Sequence, residues 1–451
     1  MTGAEEMADT GRPPPTKMIT MEPPRGMRDI LPDEAELRDA AARTILGVYR
    51  RFGFRRIETP ALESLQLLTR GEGGENEKLI FKVLKRGERL DLGRAIQEAD
   101  LVDLGLRFDL TVPLARYYAH NHPKLPKPLK VVQIGPVWRA ERPQRGRYRQ
   151  FTQCDIDVLG VASPVAEIEL ILATTEALTE LGLPDLAVRV NDRRLLGSMA
   201  RWCGFATDRH DSVFITLDKW DKLEPRAIRE ELERAGHRPE AISRMLGLFT
   251  EFTPALGLDG MRRRLESQGD EAAFDGLARI IRAVEGEATG RFAIAFDPTL
   301  VRGMSYYTGP IFEIAAAGLS SSIAGGGRYD EMIGKIFGRD VPATGFSIGF
   351  ERVVSLLMER PPRGPRGERR IAVLVDEEAA DLAPVLRAAR RLREEGHVAS
   401  LTFRAKRPGA QAAALEAQGF DGVAVVDGAE EAPRIRWFAD RERPDVPRSA
   451  P

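Results

Sequence analysis

A ten-residue run, Pro361 to Arg370 (PPRGPRGERR), separates two unlike textures in this chain. It holds proline, glycine and charge and no aliphatic or aromatic side chain, which is the composition of a linker. After it, strand-type and helix-type stretches alternate strictly. Ile371 to Val375 is a buried-type strand, and Leu382, Val385, Leu386, Ala389 and Leu392 form a helical stripe. Ala399 to Phe403, Ala410 to Gln418 and Gly422 to Val426 continue the alternation. That βαβαβ order predicts a small, mostly parallel α/β domain over 371–440. Before the linker, strands and helices mix irregularly, so the chain carries two different folds and its overall class is α+β.

The long first part opens on a proline-bearing, weakly apolar leader, 1–24, expected to be disordered. Asp33 is placed to cap a helix, with Glu36 three residues on. Leu37, Ala41, Ile45, Val48 and Tyr49 recur at helical spacing until Phe52. Arg55 to Pro60, Leu79 to Leu84, Leu104 to Leu110, Lys130 to Val137 and Phe151 to Val158 read as strands. The last of these alternates, as an antiparallel strand with one covered face does. Val112 to His120 and Val165 to Leu181 read as helices. From 193 to 288 charge density rises and apolar residues fall at helical spacing (Ala227 to Ala235, Ala241 to Phe249), which predicts a helical insertion. Strands return at Ala293 to Phe296 and Ile311 to Ile314. A Gly-rich turn is expected at Gly325-Gly326-Gly327, and Thr344 to Met358 reads as a strand entering a helix. The tail, 441–451, is expected to fray.

Composition removes several classes of function. The chain has 451 residues, enough for several domains and a large core. Its two cysteines, Cys154 and Cys203, offer neither a disulfide framework nor a metal pair, and no HExxH stands in the chain, so no protein-built metal site is expected. The reducing cytoplasm is the default compartment. No run reaches a membrane span, and the acidic start lacks the basic-then-apolar order of a signal peptide. With 67 Lys+Arg against 68 Asp+Glu the net charge is −1, so composition by itself does not mark a nucleic-acid binder, although a local basic face can still serve as one.

Four segments carry chemistry. Arg139, Arg142, Arg145, Arg147 and Arg149 crowd a strand–loop–strand segment that also holds Glu141, Tyr148 and Phe151. Guanidinium forks match phosphate oxygens, and aromatic rings stack on bases, so the segment is equipped for a nucleoside triphosphate without a P-loop. A solvated hairpin accounts for the same spacing. Leu300 to Gly309 (LVRGMSYYTG) sets an arginine beside glycine and before two tyrosines. Ala324 to Asp330 (AGGGRYD) allows either a hairpin or a close ligand approach. Gly345 to Val353 (GFSIGFERV) places Glu351 and Arg352 at a helix start, where an arginine is a surface residue or a plane over a base.

In this order the four segments resemble the class II aminoacyl-tRNA synthetase core in its histidine form. Arg139 and Glu141, with the loop Arg142 to Phe151, match motif 2. Arg302 to Gly309 and Ala324 to Asp330 resemble the histidine-specific signatures. Gly349 to Arg352 is similar to motif 3, and Phe52 to Pro60 to motif 1. The likeness runs from about Arg25 to Met358. Leu106 to Tyr118 and Gln153 to Asp157 look like the eukaryotic and archaeal style of that family.

The resemblance implies an antiparallel-sheet catalytic core (25–192 and 289–360) interrupted by the helical insertion, with an anticodon-binding-like C-terminal α/β domain. It implies activation of L-histidine by ATP, with Mg2+ on the phosphates, and transfer to tRNA(His) by a homodimer. Arg139, Arg147 and Arg302 would contact phosphates, Glu141 the adenine amino group, and Phe151 and Arg352 the base. Arg139 and Arg302 would act on the reacting centre. Asp109, Thr111 and Gln153 would hold the α-amino end, and Asp157 and Tyr307 the imidazole; Tyr329 would close the pocket and Tyr306 line it. Two positions depart from the family pattern: Ser305 stands for the usual aspartate, and Gly409-Ala410-Gln411 for a lysine-rich stretch. Arg404, Lys406 and Arg407 beside the latter form either a basic edge or a solvated loop. Two alternatives share the core: the histidine-sensing regulatory subunit of ATP phosphoribosyltransferase, and a paralogue charging another acceptor.

Overall fold

A computed structural model describes residues 21–70, 76–93, 96–143, 147–302, 306–317, 322–359, 369–379, 381–426 and 433–438. The chain divides into two compact units between Met358 and Glu359.

The first unit starts with α1 (Pro32–Arg51). Its buried residues, Ala41, Ile45, Val48 and Tyr49, fall on one face, with acidic residues in the first turn and Arg50 and Arg51 in the last, each favourable to the helix dipole. Asp33 does not cap it. Leu31 holds the cap position without a side-chain hydrogen bond, and Pro32 takes the first helical place, moving Asp33 into the turn.

Next come β1 (Arg55–Arg56), β2 (Leu62–Ser64), α2 (Leu65–Arg70), β3 (Lys82–Leu84), α3 (Glu98–Leu101), β4 (Val102–Leu106) and α4 (Thr111–Asn121). The long hairpin strands β5 (Leu129–Trp138) and β6 (Gln150–Leu159) lead to α5 (Val165–Glu180) and β7 (Leu186–Asp192). Six helices follow: α6 (Arg193–Cys203), α7 (His210–Leu217), α8 (Pro225–Arg234), α9 (Pro239–Thr250), α10 (Gly257–Leu265) and α11 (Glu271–Ala288). The unit closes with β8 (Phe292–Phe296), β9 (Pro310–Ala316), β10 (Ala324–Arg328), α12 (Asp330–Phe337), β11 (Ala343–Ile348) and α13 (Phe350–Met358).

One eight-stranded sheet organises these elements in the order β1-β5-β6-β11-β10-β9-β7-β8. Its six inner strands pair antiparallel, while β1 on β5 and β8 on β7 are parallel edges. A small sheet β2-β4-β3 stands apart from it. One continuous apolar core runs from Ala41 to Val354 and takes in the α6–α11 helices through residues such as Leu196, Phe214 and Phe274.

Several strand expectations need correction. Of Arg55 to Pro60 only Arg55 and Arg56 pair. Leu79 ends a short 3-10 turn and only Lys82 to Leu84 is strand. The strand expected over Leu104 to Leu110 stops at Leu106, because Asp109 accepts from the Val112 amide and begins the turn into α4. The largest correction concerns the three glycines. They are no turn but the middle of β10, fully buried between β9 and β11. Glycine usually weakens a strand; here its missing side chains leave the space that neighbouring groups fill.

The second unit is built from β12 (Arg370–Val375), α14 (Ala383–Glu394), β13 (Val398–Phe403), α15 (Pro408–Ala417), β14 (Gly422–Val425) and β15 (Arg434–Trp437), in the order β13-β12-β14-β15. The first three strands are parallel, and β15, absent from the sequence reading, is antiparallel to β14. Arg370 belongs to β12 rather than to the linker. The rest of the linker up to residue 368, the leader through residue 20 and the tail lie outside the described residues.

Candidate active site

Strand β6 has two chemically opposite faces. Cys154, Ile156 and Val158 enter the apolar core. Two-residue periodicity turns Phe151, Gln153, Asp155 and Asp157 the other way. Asp109, at the entry to α4, joins them. The three aspartates are buried, and each leaves one carboxylate oxygen without a hydrogen-bond partner: Asp109 Oδ2, Asp155 Oδ1 and Asp157 Oδ2. Gln153 Oε1 is unpartnered as well, because its amide nitrogen donates to Asp155 Oδ2 at 3.2 Å. Four buried acceptors without donors call for an occupant rich in N–H groups and carrying positive charge.

Burial sets their protonation. It pushes the Asp109 carboxyl up to about 6, against the Val112 amide and Arg139, which favour the charge. It pushes Asp155 up to about 7, with Asp109 adding to the rise and Ser347 and Arg139 opposing it. Burial, and then the neighbouring Asp155, push the Asp157 carboxyl up as well. Tyr329 donates to Asp157 Oδ1 at 2.5 Å. The rings of Tyr306 and Tyr307 meet edge to face at 4.7 Å, and Tyr306 lies 6.0 Å from Tyr329.

Two glycines make this packing possible. A Cβ on Gly345, which pairs with Asp157 across β6 and β11, would strike the Asp157 carboxylate. A Cβ on Gly325 would strike the guanidinium of Arg302. The glycine-bearing segments therefore serve close approach of charged side chains to the sheet.

The other end of the site is cationic. Arg302 is half-buried and paired with Glu313, which also accepts from Ser322 Oγ at 3.0 Å. Arg352 donates to the Ser322 carbonyl. Burial and then the charges of Arg147 and Arg302 depress its proton affinity, while Glu313 favours the charge, so these arginines share one neighbourhood. Arg147 reaches Glu141 at 3.4 Å and is half exposed. Arg139 joins the two ends. Its Nε donates to the Phe108 carbonyl at 3.0 Å, its guanidinium lies 5.0 Å from the Phe151 ring centre, and its charge favours ionisation of Asp109 and Asp155.

A group of buried, unpartnered acceptors thus lies next to an arginine cluster, with Arg139 at the boundary. The histidyl-tRNA synthetase family model matches residues 26–353. This chain belongs to the histidyl-tRNA synthetase family. A histidine–tRNA ligase of Leifsonia xyli subsp. xyli (strain CTCB07) is 46% identical over 416 residues, 90% of this chain and 95% of that protein. The crystal structure of histidyl-tRNA synthetase from Nostoc sp. PCC 7120 matches with a TM-score of 0.73 and 27% identity, covering 90% of this chain and 91% of that one. The structure of an ATP phosphoribosyltransferase regulatory subunit/histidyl-tRNA synthetase from Bacillus halodurans C matches at TM-score 0.71 and 24% identity, covering 88% and 97%, and shows likeness of fold.

In this histidyl-tRNA synthetase family member, the residues singled out from sequence fall into the two neighbourhoods as follows. Asp109, Gln153, Asp157, Tyr306, Tyr307 and Tyr329 belong to the acceptor end, and Thr111 opens α4 directly after Asp109 and Leu110. Glu141, Arg147 and Arg352 belong to the cationic end, where Arg302 is held by Glu313. Arg145 and Ser305 lie outside the described residues. Asp155 and Glu313 were missed. The two-residue alternation from Gln153 through Asp157 was the available signal for Asp155. Glu313 sits on β9 eleven residues from Arg302, and no spacing rule joins them. Among the described residues no group of three or more His, Cys, Asp or Glu is placed to hold a metal ion, and no helix is long and apolar enough to cross a membrane.

Proposed function

We propose that this chain activates L-histidine with ATP and transfers the histidyl group to tRNA(His), and that the two-ended site performs the first step. The observation that carries the reading is the set of four unpartnered buried acceptors beside the arginine cluster. An amino acid with an α-ammonium group and an imidazole supplies the donors. Asp109 and Gln153, with Thr111 beside them, hold the ammonium. Asp157, oriented by Tyr329, and Tyr307 read the ring, and Tyr306 lines the pocket. An amino acid without ring N–H groups leaves buried acceptors empty, which gives strong rejection.

At the cationic end Arg147 meets the outer phosphates, Glu141 the adenine amino group, and Phe151 and Arg352 the two faces of the base. Arg139 and Arg302 flank the α-phosphate. The histidine carboxylate oxygen attacks that phosphorus in line, forming the mixed anhydride while the bond to pyrophosphate breaks. The arginines stabilise the charge that builds on the phosphate oxygens, so catalysis is positioning plus electrostatics. Magnesium fits as an ion carried by the triphosphate, since Glu313 and Ser322 put a carboxylate and a hydroxyl beside Arg302 and Arg352; bound there, it would neutralise phosphate charge.

The same reading divides the chain into a core (25–192 and 289–360), a helical insertion (193–288) and a C-terminal domain (371–440) that meets the anticodon through a face including Arg404, Lys406 and Arg407. It also places a homodimer in the cytoplasm. A pure histidine sensor needs only the acceptor pocket; the full arginine cluster favours the enzyme. Histidine-dependent exchange of pyrophosphate into ATP, followed by charging of tRNA(His), tests the proposal. No exchange defeats it, and exchange without charging points to another acceptor.

A further inference from the structure

The segment that precedes α1 reaches the nucleotide end of the site. Arg28 donates twice to Glu34, at 2.6 Å each, and once to Glu351 at 3.2 Å. Its guanidinium also lies 4.8 Å from the ring centre of Tyr148, in the arginine-bearing loop after β5. The adjoining backbone binds the same loop: the Gly26 carbonyl accepts from the Arg149 amide at 2.7 Å, and Arg149 reaches the Arg25 carbonyl at 3.4 Å. Gly26 has a φ of +84° and packs against the Arg149 side chain and Pro143, so a side chain there is excluded on both counts.

Glu351 is the hub of this arrangement. Arg38 from α1 binds it bidentately at 2.7 and 2.7 Å and donates to Thr152 Oγ1 at 2.9 Å. The Thr152 amide donates to Glu351 at 3.0 Å. Burial opposes the Glu351 charge, but Arg38 and the Thr152 amide outweigh it and hold the carboxyl below its usual range. Thr152 lies between Phe151 and Gln153, and Arg352 follows Glu351 in α13. One carboxylate therefore ties the strand that carries Phe151 to the helix turn that carries Arg352.

We propose that Arg28 and Arg38 are positioning residues for the nucleotide: through Glu351 they set the spacing between Phe151 and Arg352, and through Tyr148 and Arg149 the N-terminal segment anchors the loop that carries Arg147. The inference rests on the nucleotide role given above to Phe151, Arg352 and Arg147. It separates the two ends of the site, because among the described residues the hydrogen bonds and ring contact of Arg28 go to Glu34, Glu351 and Tyr148 rather than to the aspartates. Charge-assisted contacts of this kind are worth about 1.5–3 kcal/mol, or roughly 10- to 100-fold in an equilibrium.

The test is equilibrium titration of the full chain with a non-hydrolysable ATP analogue and, separately, with L-histidine, alongside histidine-dependent pyrophosphate exchange. R28A is expected to weaken the analogue about 10-fold and raise the KM for ATP similarly, while Kd and KM for histidine stay within about 2-fold. E34Q, which weakens an anchor shared by Arg28 and Arg38 (Arg38 also reaches Glu34 at 3.4 Å), is expected to shift the same constants in the same direction by about 3-fold, and it carries the test if R28A folds poorly. R28K, which keeps the charge but not the fork, is expected to recover only part of the loss. Unchanged ATP constants in R28A and E34Q, or an equal loss for histidine, overturn the inference. Absence of exchange in the wild-type chain defeats the proposed reaction instead, and the analogue titration still judges the positioning role of Arg28.

Discussion

The two ends of the site solve opposite problems. At the aspartate end, like charges are buried with their acceptors bare, and burial drives their proton affinities up. At the arginine end the guanidinium groups are partly compensated: Arg302 by Glu313, Arg147 by Glu141, Arg352 by the Ser322 carbonyl. The first end holds unfavourable electrostatics that a cationic donor relieves. The second is kept in shape by its own ion pairs and by the contacts of Arg28 and Arg38 with Glu351. Specificity is therefore expected to be concentrated at the aspartates, and orientation at the arginines.

Replacing Arg302, beside the boundary, breaks the contrast most completely. Arg302→Ala is expected to lower kcat/KM for pyrophosphate exchange by about 1000-fold or more, about 4 kcal/mol, because a preorganised charge at the reacting phosphate is lost. Near-normal exchange in a folded variant refutes its role. Asp155→Asn sharpens the contrast, since it touches one end only. The KM for histidine is expected to rise about 10-fold, with the KM for ATP unchanged within about 2-fold. A parallel loss for both substrates would mean that Asp155 supports the sheet rather than the pocket.

The same substitution carries a stability signature. The folded chain holds Asp155 near about 7, above the usual carboxylate value of about 3.9, so folding favours its protonated form. The wild-type chain therefore loses stability as pH rises from about 4 to about 7, and that cost stays in place above about 7. Asp155→Asn is expected to raise the ligand-free melting temperature at pH 8 by a few degrees and to flatten its fall between pH 5 and pH 8. Calorimetric scans across that range check the sign; an unchanged slope would place the carboxyl in the ordinary range.

Binding is expected to follow the complementary pH trend, because the ionised aspartates are the better acceptors. The KM for histidine is expected to fall as pH rises from about 6 to about 7.5, and the component near 7 should vanish in Asp155→Asn. The titration of histidine itself, near about 6.5, remains in both profiles and serves as the internal reference. Among substitutions of the residues placed against the substrates, the smallest effect is expected from Arg352→Ala. Loss of a half-exposed plane over a base is worth about 1 kcal/mol, or about 5-fold in the KM for ATP with histidine unaffected.

The contrast also explains what could be read early. The arginine end was legible because its members crowd one loop, Arg139 to Arg149, and recur with Glu351 and Arg352 at a helix start. Half of the aspartate end was legible too, since Gln153, Asp155 and Asp157 share a strand face by simple alternation. The role of Asp155 is nevertheless not legible there, because alternation says which face a residue occupies and nothing about which of its oxygens finds a partner. Local pattern predicts a turn at the glycines of β10, because glycine clusters break most strands. Only the neighbouring side chains explain why these do not.

By itself the sequence determined the two-part division at the linker, the helices of the central segment, the strand carrying the acceptor residues and the residue types of both ends. These follow from local periodicity and composition, which act over a few residues. The tertiary structure decided which of them meet. It set Gly325 against Arg302 and Gly345 against Asp157, paired Arg302 with Glu313, and brought Arg28 and Arg38 to Glu351 across more than three hundred residues. Such meetings depend on sheet order and register, and the space left by an absent side chain has meaning only once the groups that fill it are in place.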